Sequence, residues 1–319
     1  MAWVRRPAIR KDEALFRAAT GAFALLLIAG VVAIGVVLVR ESRLSIAHFG
    51  LRFWLTDVWD PVAGEFGARP FIWGTLYSSI LALLISTPVA LGIAIYISEV
   101  APTWSQRPLV FLTELLAAIP SIVYGLWGIF VLVPAVRQFE AATPEWMKGI
   151  PLFSGPPLGV GMLSAALILS IMVIPFSSSV AREVLKSVPQ SQREGAYALG
   201  ATRWEAIRMA LFYARTGIVG AIMLGFGRAL GETMAVTMVI GNSPQVTWSL
   251  YAPQYTMAAV LANEFAEATG DLYLHALVEI GLVLFTITLV VNVISRLFIW
   301  SMGRQKRPKP RRVALEEAA

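Results

Sequence analysis

The chain has 319 residues, of which 57% are hydrophobic and only 14% are charged, and its formal net charge at pH 7 is +6. An ordinary soluble domain is about 45–50% apolar and about 25% charged, so the composition argues against a water-soluble globule and against a disordered chain. The chain has no cysteine and two histidines, so we expect no disulfide, no thiolate nucleophile and no bound metal. The basic bias is read as membrane topology rather than nucleic-acid binding, because cytoplasmic loops of membrane proteins collect Lys and Arg.

Six stretches are long enough to cross a hydrocarbon core, which takes about 20 mostly apolar residues. They lie at 18–39, 71–97, 109–136, 158–180, 216–240 and 273–300. The first follows a basic segment, as a signal peptide does, but its apolar run is longer than usual and no small-residue cleavage site follows it. We interpret it as an uncleaved anchor helix, and the fold class predicted is an all-α integral membrane protein with six transmembrane helices.

The basic residues predict the orientation of these helices. With the N-terminus inside, the inner segments 1–17, 98–108, 181–215 and the C-terminal end hold 19 of the 26 Lys and Arg residues. The outer segments 40–70, 137–157 and 241–272 hold 6. This bias favours a topology with both termini in the cytoplasm.

The chain divides into four parts along its length. Residues 1–40 are a basic segment with the anchor helix, residues 41–70 an outer segment, residues 71–300 a five-helix core, and residues 301–319 a basic tail that we read as a topology anchor in contact with anionic lipid. The outer segment contains Phe53, Trp54 and Trp59, which are typical of the membrane interface. In the core, Pro120 and Pro134 are expected to kink the third span, and the stretch 144–157, rich in Pro and Gly, to form a loop.

The inner segment 181–215 is too long for a simple turn. After Pro189 we expect a short helix, a turn, and a second helix that leads into the fifth span. A cluster of small residues beside one acid lies in the first of these helices and the turn: Glu194, Gly195, Ala196, Leu199, Gly200 and Ala201. Small side chains let another surface approach closely, which suits docking to a soluble partner; an amphipathic helix resting on lipid fits equally well.

The chain offers no catalytic motif of its own. A P-loop requires a Lys after the second Gly of its motif, and none of the five lysines follows a glycine. No G-x-S-x-G or H-E-x-x-H pattern is present either. Energy for any work must therefore come from an ion gradient or from a partner protein.

Ionisable residues inside a membrane span are costly and are functional candidates by default. Glu114 and Arg296 lie near span ends and can snorkel, and Glu279 can be structural. Arg228 and Glu232 lie in the middle and outer half of the fifth span at i, i+4, which predicts that both side chains share one helix face. They can form a self-neutralising ion pair, or Arg228 can hold an anion, because its donor fork matches phosphate or sulfate oxygens.

Glu232 narrows the choice of anion. A carboxylate repels a fully ionised anion such as sulfate but accepts a hydrogen bond from an anion that still carries a proton. Phosphate near neutral pH carries one or two protons and sulfate carries none. An Arg and Glu pair is therefore expected to favour phosphate over sulfate.

The segment from Glu194 to Ala201 resembles the "EAA" loop of bacterial ABC-importer permeases, with Gly195 in place of an alanine. Four further stretches are similar to the PstC-type permeases of phosphate-specific ABC importers. They are Leu115–Gly128 (LLAAIPSIVYGLWG), Pro151–Gly161 (PLFSGPPLGVG), Gly227–Val236 (GRALGETMAV) and Ala262–Ala266 (ANEFA). The third is the most specific for phosphate. Phe212 departs from the pattern, because many family members carry a proline there.

This resemblance implies a type I importer fold, in which the core helices pair with a PstA-like sister permease. It implies that a dimer of cytoplasmic ATP-binding subunits docks on the loop at Glu194–Ala201 and that an extracytoplasmic phosphate-binding protein delivers the substrate. ATP and Mg would be used by the ATPase, with no cofactor bound by this chain. The resemblance also places Arg228 and Glu232 in the substrate pathway, and with them Thr233 and Ser121.

Three alternative functions remain open on the sequence. The nearest is a permease of the same superfamily for another oxyanion, such as sulfate or molybdate. The second is a self-sufficient ion-coupled transporter or channel, which the long inner segment disfavours. The third is a membrane-embedded enzyme, for which the chain offers neither a metal-ligand cluster nor a nucleophile–base pair.

Overall fold

The computed structural model describes residues 11–303, and helices dominate it. Within that range, six helices are long and apolar enough to cross a membrane. They are Leu15–Glu41, Arg69–Val100, Ser121–Ala141, Met162–Lys186, Arg203–Leu230 and Asp271–Met302. The predicted all-α membrane fold and the number of spans are confirmed. The basic residues up to Arg10 and the tail from Arg304, on which part of the orientation argument rests, lie outside the described residues.

Thirteen helices lie in the part of the chain that the structure describes, and the longest connections between them precede α3, α8 and α12. In chain order they are α1 (Lys11–Glu41), α2 (Arg43–Phe49), α3 (Arg69–Ile95), α4 (Thr103–Ala118), α5 (Ser121–Trp127), α6 (Val133–Ala141), α7 (Glu145–Lys148), α8 (Met162–Lys186), α9 (Gln190–Ala198), α10 (Arg203–Leu230), α11 (Met234–Thr237), α12 (Met257–Glu264) and α13 (Asp271–Gly303). Single π-helical turns continue α3 over Tyr96–Val100 and join α5 to α6 over Gly128–Leu132. Turns of 3-10 helix lie at Gly50–Trp54 and Pro151–Phe153. The predicted loop 144–157 therefore contains one short helix and one such turn.

A two-residue hairpin marks one end of the bundle. Strand β1 (Trp59–Asp60) pairs antiparallel with β2 (Glu65–Phe66), and Trp59 lies opposite Phe66. We call this the hairpin end of the bundle and the opposite end, which carries α9, the α9 end.

The third predicted span is wrong in its bounds. The structure ends α4 at Ala118 and begins α5 at Ser121, so the membrane-spanning helix is Ser121–Ala141 rather than 109–136. The reason is Pro120, which has no N–H to donate and disfavours helical geometry at the residue before it. Ile119 is accordingly extended, with φ −64° and ψ 128°.

The fifth predicted span, 216–240, is also wrong in its bounds. Helix α10 begins at Arg203, where the Thr202 hydroxyl accepts from the Glu205 N–H and the Glu205 carboxylate accepts from the Thr202 N–H. This reciprocal capping satisfies two N–H groups that a helix start leaves free. The helix ends at Leu230, before Gly231, a residue type that weakens helices. The chain then continues through Glu232 and Thr233 into the short α11.

Helix α8 is the most buried of the six spans and lies at the centre of the bundle. It packs against α3 and α10, and small residues allow the close approach. A Cβ placed on Gly225 of α10 would lie 2.3 Å from the Ser177 Oγ of α8. Helix α1, in contrast, is exposed along its length and touches α13 where Gly35 meets the ring of Phe285.

The aromatic residues of segment 41–70 form a core at the hairpin end. Phe53, predicted at the membrane interface, is instead fully buried beside Phe66 and Phe71. Trp59 is partly buried, and its indole N–H donates to the Glu264 carboxylate at 2.8 Å. Segment 41–70 is therefore packed onto the bundle through aromatic side chains. Their partners could not be predicted from the sequence pattern.

Candidate functional site

Arg228 lies at membrane depth with its side chain exposed. It is in the last turn of α10, which is the fifth of the candidate membrane-spanning helices. The C-terminal end of a helix carries partial negative charge and stabilises a cation there. Sequence and fold thus place a permanent positive charge at an exposed position near the end of a candidate membrane-spanning helix.

The ion pair considered for Arg228 and Glu232 is not formed. Because α10 ends at Leu230, the two residues do not share a helical face. Among the residues that the structure describes, Arg228 has no salt bridge, and its guanidinium carbon lies over the ring of Phe176 at 5.9 Å from the centroid. The guanidinium therefore keeps its donors available for an anion.

Glu232 and Thr233 form the break between α10 and α11. Both are partly buried, and the Glu232 N–H makes only a long hydrogen bond of 3.4 Å to the carbonyl of Ala229. The Thr233 hydroxyl donates to the Gly231 carbonyl at 3.3 Å. No atom lies within 4 Å of a Cβ placed on Gly231, so the break borders open space.

Ser121 begins the helix that follows the second break, at Ile119 and Pro120. The two broken segments pack on each other, because Gly125 of α5 lies against α11: a Cβ there would be 2.4 Å from the Met238 Sδ and 3.2 Å from the Ala235 Cα. Irregular backbone at membrane depth is tolerated where it is covered by protein or lines a polar cavity, and transporter sites are often built from such interrupted helices.

Tyr124 is a member of this site that the residue-by-residue reading of the sequence missed. Its hydroxyl donates to the Leu116 carbonyl at 2.8 Å across the break at Ile119 and Pro120, and Arg228 is near enough to act on it electrostatically. The signal was available, because Tyr124 lies three residues after Ser121 in one of the four recognised stretches. Tyr124 thus connects the break at Pro120 with the charge at Arg228.

An apolar cavity of about 230 Å³ adjoins Tyr124. It is lined by Ile119, Val123, Tyr124, Trp127 and Ile171. A cavity of this lining is unsuited to a hydrated anion, because transfer of charge into apolar surroundings is unfavourable. The polar groups of the site are instead those at the two breaks.

The predicted short helix in the inner segment is confirmed as α9, followed by a tight turn and by α10. Glu194 and Gly195 are exposed on α9, whereas Ala196 is buried against the bundle. In the turn, Leu199 is 89% exposed and Gly200 has φ +81°, a conformation that favours glycine. Ala201 is partly buried. The structure thus brings the six predicted residues together in one helix and turn, with Glu194, Gly195, Leu199 and Gly200 exposed and Ala196 facing the bundle.

Two arginines fix α9 and the start of α10 to the turn that ends α3, and sequence reasoning missed both. Arg193 forms a two-pronged ion pair with Glu99, with N–O distances of 2.6 and 3.1 Å. Arg203 donates to the carbonyl of Glu99 at 2.7 Å. No motif marks this contact, because Glu99 and Arg193 are far apart in the sequence.

Of the remaining charges predicted inside spans, Glu114 has a charged partner, whereas Glu279 is buried with one carboxylate oxygen that has no hydrogen-bond partner among the described residues. Glu114 lies in α4, which is outside the membrane-spanning helices, and its carboxylate is 3.6 Å from Arg182. Glu279 is 2% exposed within α13. Sequence reasoning also missed Glu140, which is buried and accepts from the Gly159 N–H at 2.8 Å.

Three features define a class of protein, the membrane subunit of a transporter. They are the six membrane helices, the two interrupted segments around an exposed guanidinium, and the projecting short helix at one end. Residues 87–303 match the family described as "Binding-protein-dependent transport system inner membrane component". The chain belongs to this family and is a multi-pass inner-membrane protein.

Relatives place the chain more narrowly within this family. It is 47% identical over 300 residues to the "Phosphate transport system permease protein PstC" of Haemophilus influenzae, with 92% of this chain and 95% of the relative covered. It is 44% identical to the protein of the same name from Mesorhizobium japonicum, with 92% and 91% covered. A relative from Methanocaldococcus jannaschii, named "Probable phosphate transport system permease protein PstC", is 41% identical over 258 residues, with 79% and 82% covered. The chain is therefore a member of the PstC permeases.

The fold is similar to a solved transporter. A structure entitled "Inward facing conformations of the MetNI methionine ABC transporter" superposes with a TM-score of 0.53 at 16% identity, and covers 75% of this chain and 95% of that one. At this identity the likeness concerns the fold, and it confirms the predicted type I importer permease architecture.

Proposed function

We propose that this chain is the transmembrane permease of an ATP-driven phosphate importer. The observation that carries the proposal is Arg228: an exposed guanidinium at membrane depth, without a carboxylate partner among the described residues, at the junction of two interrupted helices. An always-charged donor fork of this kind binds oxyanions. The names of the PstC relatives specify phosphate as the oxyanion.

Glu232 supplies the discrimination between phosphate and sulfate. Glu232 lies four residues beyond Arg228 and outside its helix. Its carboxylate is therefore free to accept a hydrogen bond from a protonated oxygen of phosphate rather than to neutralise the guanidinium. Thr233 and Ser121 line the two breaks with hydroxyl groups and belong to the same pathway. A second cation from a PstA-like sister permease is expected, because one Arg does not neutralise a divalent anion.

ATP is hydrolysed by partner subunits rather than by this chain. A dimer of cytoplasmic ATP-binding subunits docks on the exposed surface formed by Glu194–Ala201, which places the α9 end in the cytoplasm and the hairpin end outside. Its closure on ATP moves the two coupling helices together, the permease pair opens outward, and an extracytoplasmic binding protein delivers phosphate to Arg228. Hydrolysis resets the pair and releases phosphate inside. Lipid contact of the basic tail remains part of the proposal.

The test is uptake of labelled phosphate at low concentration by cells that express the sister permease, ATPase and binding protein with or without this chain. We expect uptake that requires the chain, that survives excess sulfate or molybdate, and that stops when the ATPase is inactivated by substitution. Competition by sulfate would favour the alternative oxyanion permease. Uptake that persists without a working ATPase would favour an ion-coupled transporter.

The role of Glu232 is tested separately by Glu232→Gln, measured as the ratio of phosphate to sulfate uptake. We expect the ratio to fall, because an amide no longer repels a fully ionised anion. An unchanged ratio would contradict the discrimination argument and leave the transport function standing.

A further inference from the structure

The contact between Arg193 and Glu99 is the most completely hydrogen-bonded ion pair at the α9 end. In addition to the two bonds to the Glu99 carboxylate, the Arg193 guanidinium donates to the carbonyls of Val188 at 2.9 Å and Leu185 at 3.0 Å. Those carbonyls belong to the last turn of α8 and the linker after it. The pair is mostly buried, with 21% of the Arg193 side chain and 9% of the Glu99 side chain exposed. Such a bidentate pair fixes geometry as well as charge.

Helix α3 has no covalent route to α9, whereas α8 and α10 do. The linker through Pro189 connects α8 to α9, and the turn Leu199–Thr202 connects α9 to α10. Movement of α9 therefore passes to those two helices along the chain. It reaches α3 by contact, through the packing of α8 and α10 on α3 and through two polar contacts. Of these polar contacts, the Glu99 pair joins α9 itself to α3, and the bonds from Arg203 to the carbonyls of Glu99 and Val100 join the start of α10 to it.

Glu99 lies in the π-helical turn that follows α3, and single π turns recur at functional sites. The turn presents both the side chain and the backbone carbonyl of Glu99 to α9 and the start of α10. Through these two groups the turn receives two arginines at once, Arg193 of α9 and Arg203 of α10.

The opposite end of α3 holds the irregular segment that follows α11. The Trp73 indole donates to the Thr247 carbonyl at 2.9 Å, and the Tyr77 hydroxyl donates to the Trp248 carbonyl at 2.8 Å. The Thr75 hydroxyl accepts from the Met257 N–H at 2.9 Å. Helix α3, about 40 Å long from its 27 residues, thus joins α9 to the backbone that covers the hairpin end of the pathway.

We propose that the Arg193–Glu99 ion pair is the link by which movement of α9 is transmitted to α3 and through it to the segment Thr247–Met257. This inference rests on the proposed docking of an ATPase on α9. Arg193 is a positioning residue: it touches neither substrate nor nucleotide, and it makes α9 and α3 move as one body. The pair couples ATP hydrolysis to opening of the hairpin end.

The test uses the assembled transporter in proteoliposomes, with labelled phosphate and ATP as probes. The variants are Arg193→Gln and Glu99→Gln, and the matched control is Arg208→Gln, an exposed arginine of α10 that carries the same charge near the same end. Three quantities are measured: the ATPase subunit retained on purification, the rate of ATP hydrolysis, and the phosphate transported per ATP hydrolysed.

We expect both test variants to retain the ATPase and to hydrolyse ATP. Phosphate transported per ATP is expected to fall by about fivefold or more, which is the lower end of the range typical of coupling between two sites. The control is expected to keep the wild-type ratio. A wild-type ratio in Arg193→Gln and Glu99→Gln would overturn the inference. Loss of the ATPase from these variants alone would also overturn it, because the pair would then serve docking. Failure of the wild-type chain to retain an ATPase would instead refute the proposed function.

A second arrangement keeps the inference testable if the single variants do not reach the membrane. Because the chain has no cysteine, Glu99→Cys combined with Arg193→Cys can be joined by a reducible bifunctional thiol reagent in the otherwise thiol-free permease. We expect the linked protein to regain the transport ratio and to lose it again on reduction. If phosphate transported per ATP hydrolysed does not change on linking or on reduction, the inference is overturned. The pair would then serve folding alone, because a role in folding does not respond to a reversible cross-link.

Discussion

Gly74 is the tightest approach of α3 to another backbone. A Cβ added there would lie 2.2 Å from the Tyr255 carbonyl oxygen and 2.9 Å from its carbon. Ordinary van der Waals contact begins near 3.4 Å, so Gly74→Ala requires a displacement of about 1.2 Å by backbone that the adjoining Thr75–Met257 hydrogen bond also holds. Overpacking of this kind destabilises by about 1–3 kcal/mol.

Gly92→Ala is the matched control, because it makes the same change in the same helix at a position where nothing lies within 4 Å. Both substitutions gain up to about 1 kcal/mol of helix propensity, so their difference isolates the clash. We expect Gly74→Ala to lower the apparent melting temperature of the detergent-solubilised permease by ~2–8 °C relative to Gly92→Ala, at a few degrees per kcal/mol. Size-exclusion chromatography after heating measures this. Equal melting temperatures would refute the packing of α3 against Tyr255.

Two further predictions concern helix contacts and helix ends. Gly225→Val is expected to lower the melting temperature because its side chain would meet the Ser177 Oγ. Gly220→Val is the control and is expected to be tolerated, because the nearest neighbour of its Cβ is at 3.8 Å. Equal losses of melting temperature in the same thermal assay would contradict the α8–α10 packing. Thr202→Ala is expected to lower the melting temperature by ~1–4 °C through loss of the α10 cap, whereas Thr202→Ser keeps the hydroxyl. Protease cleavage near Arg203 should rise in Thr202→Ala, and an unaltered cleavage rate would count against the cap.

Much of the fold was predictable because membrane spans depend on length and composition. The count of six and the short helix before α10 follow from apolar runs and from the position of Pro189. The ends of the third and fifth spans were not predictable from apolarity, because hydrophobic runs continue across Pro120 and Gly231 while the helices stop there. Local backbone chemistry, rather than hydropathy, decides where those helices end.

The geometry predicted for the candidate site was wrong. Arg228 and Glu232 were assigned to one helix face from their spacing, yet the break at Gly231 separates them. The proximity of Tyr124 to Arg228 and the ion pair of Glu99 with Arg193 depend on tertiary packing between distant segments. The spacing of residues in the sequence does not predict such contacts. The burial of Phe53 could not be predicted for the same reason. An aromatic residue typical of the membrane interface is buried here because it packs against Phe66 of the hairpin.

The most direct test of the account is phosphate uptake by cells that carry Arg228→Gln or Arg228→Lys, with the sister permease, ATPase and binding protein present and membrane levels of the chain matched. We expect Arg228→Gln to lower uptake by about tenfold or more, which is the loss expected for hydrogen bonds to a charged group. Arg228→Lys should retain part of the activity, since it keeps the charge without the fork. Wild-type uptake in Arg228→Gln would contradict the central claim and assign the guanidinium a role other than holding the anion.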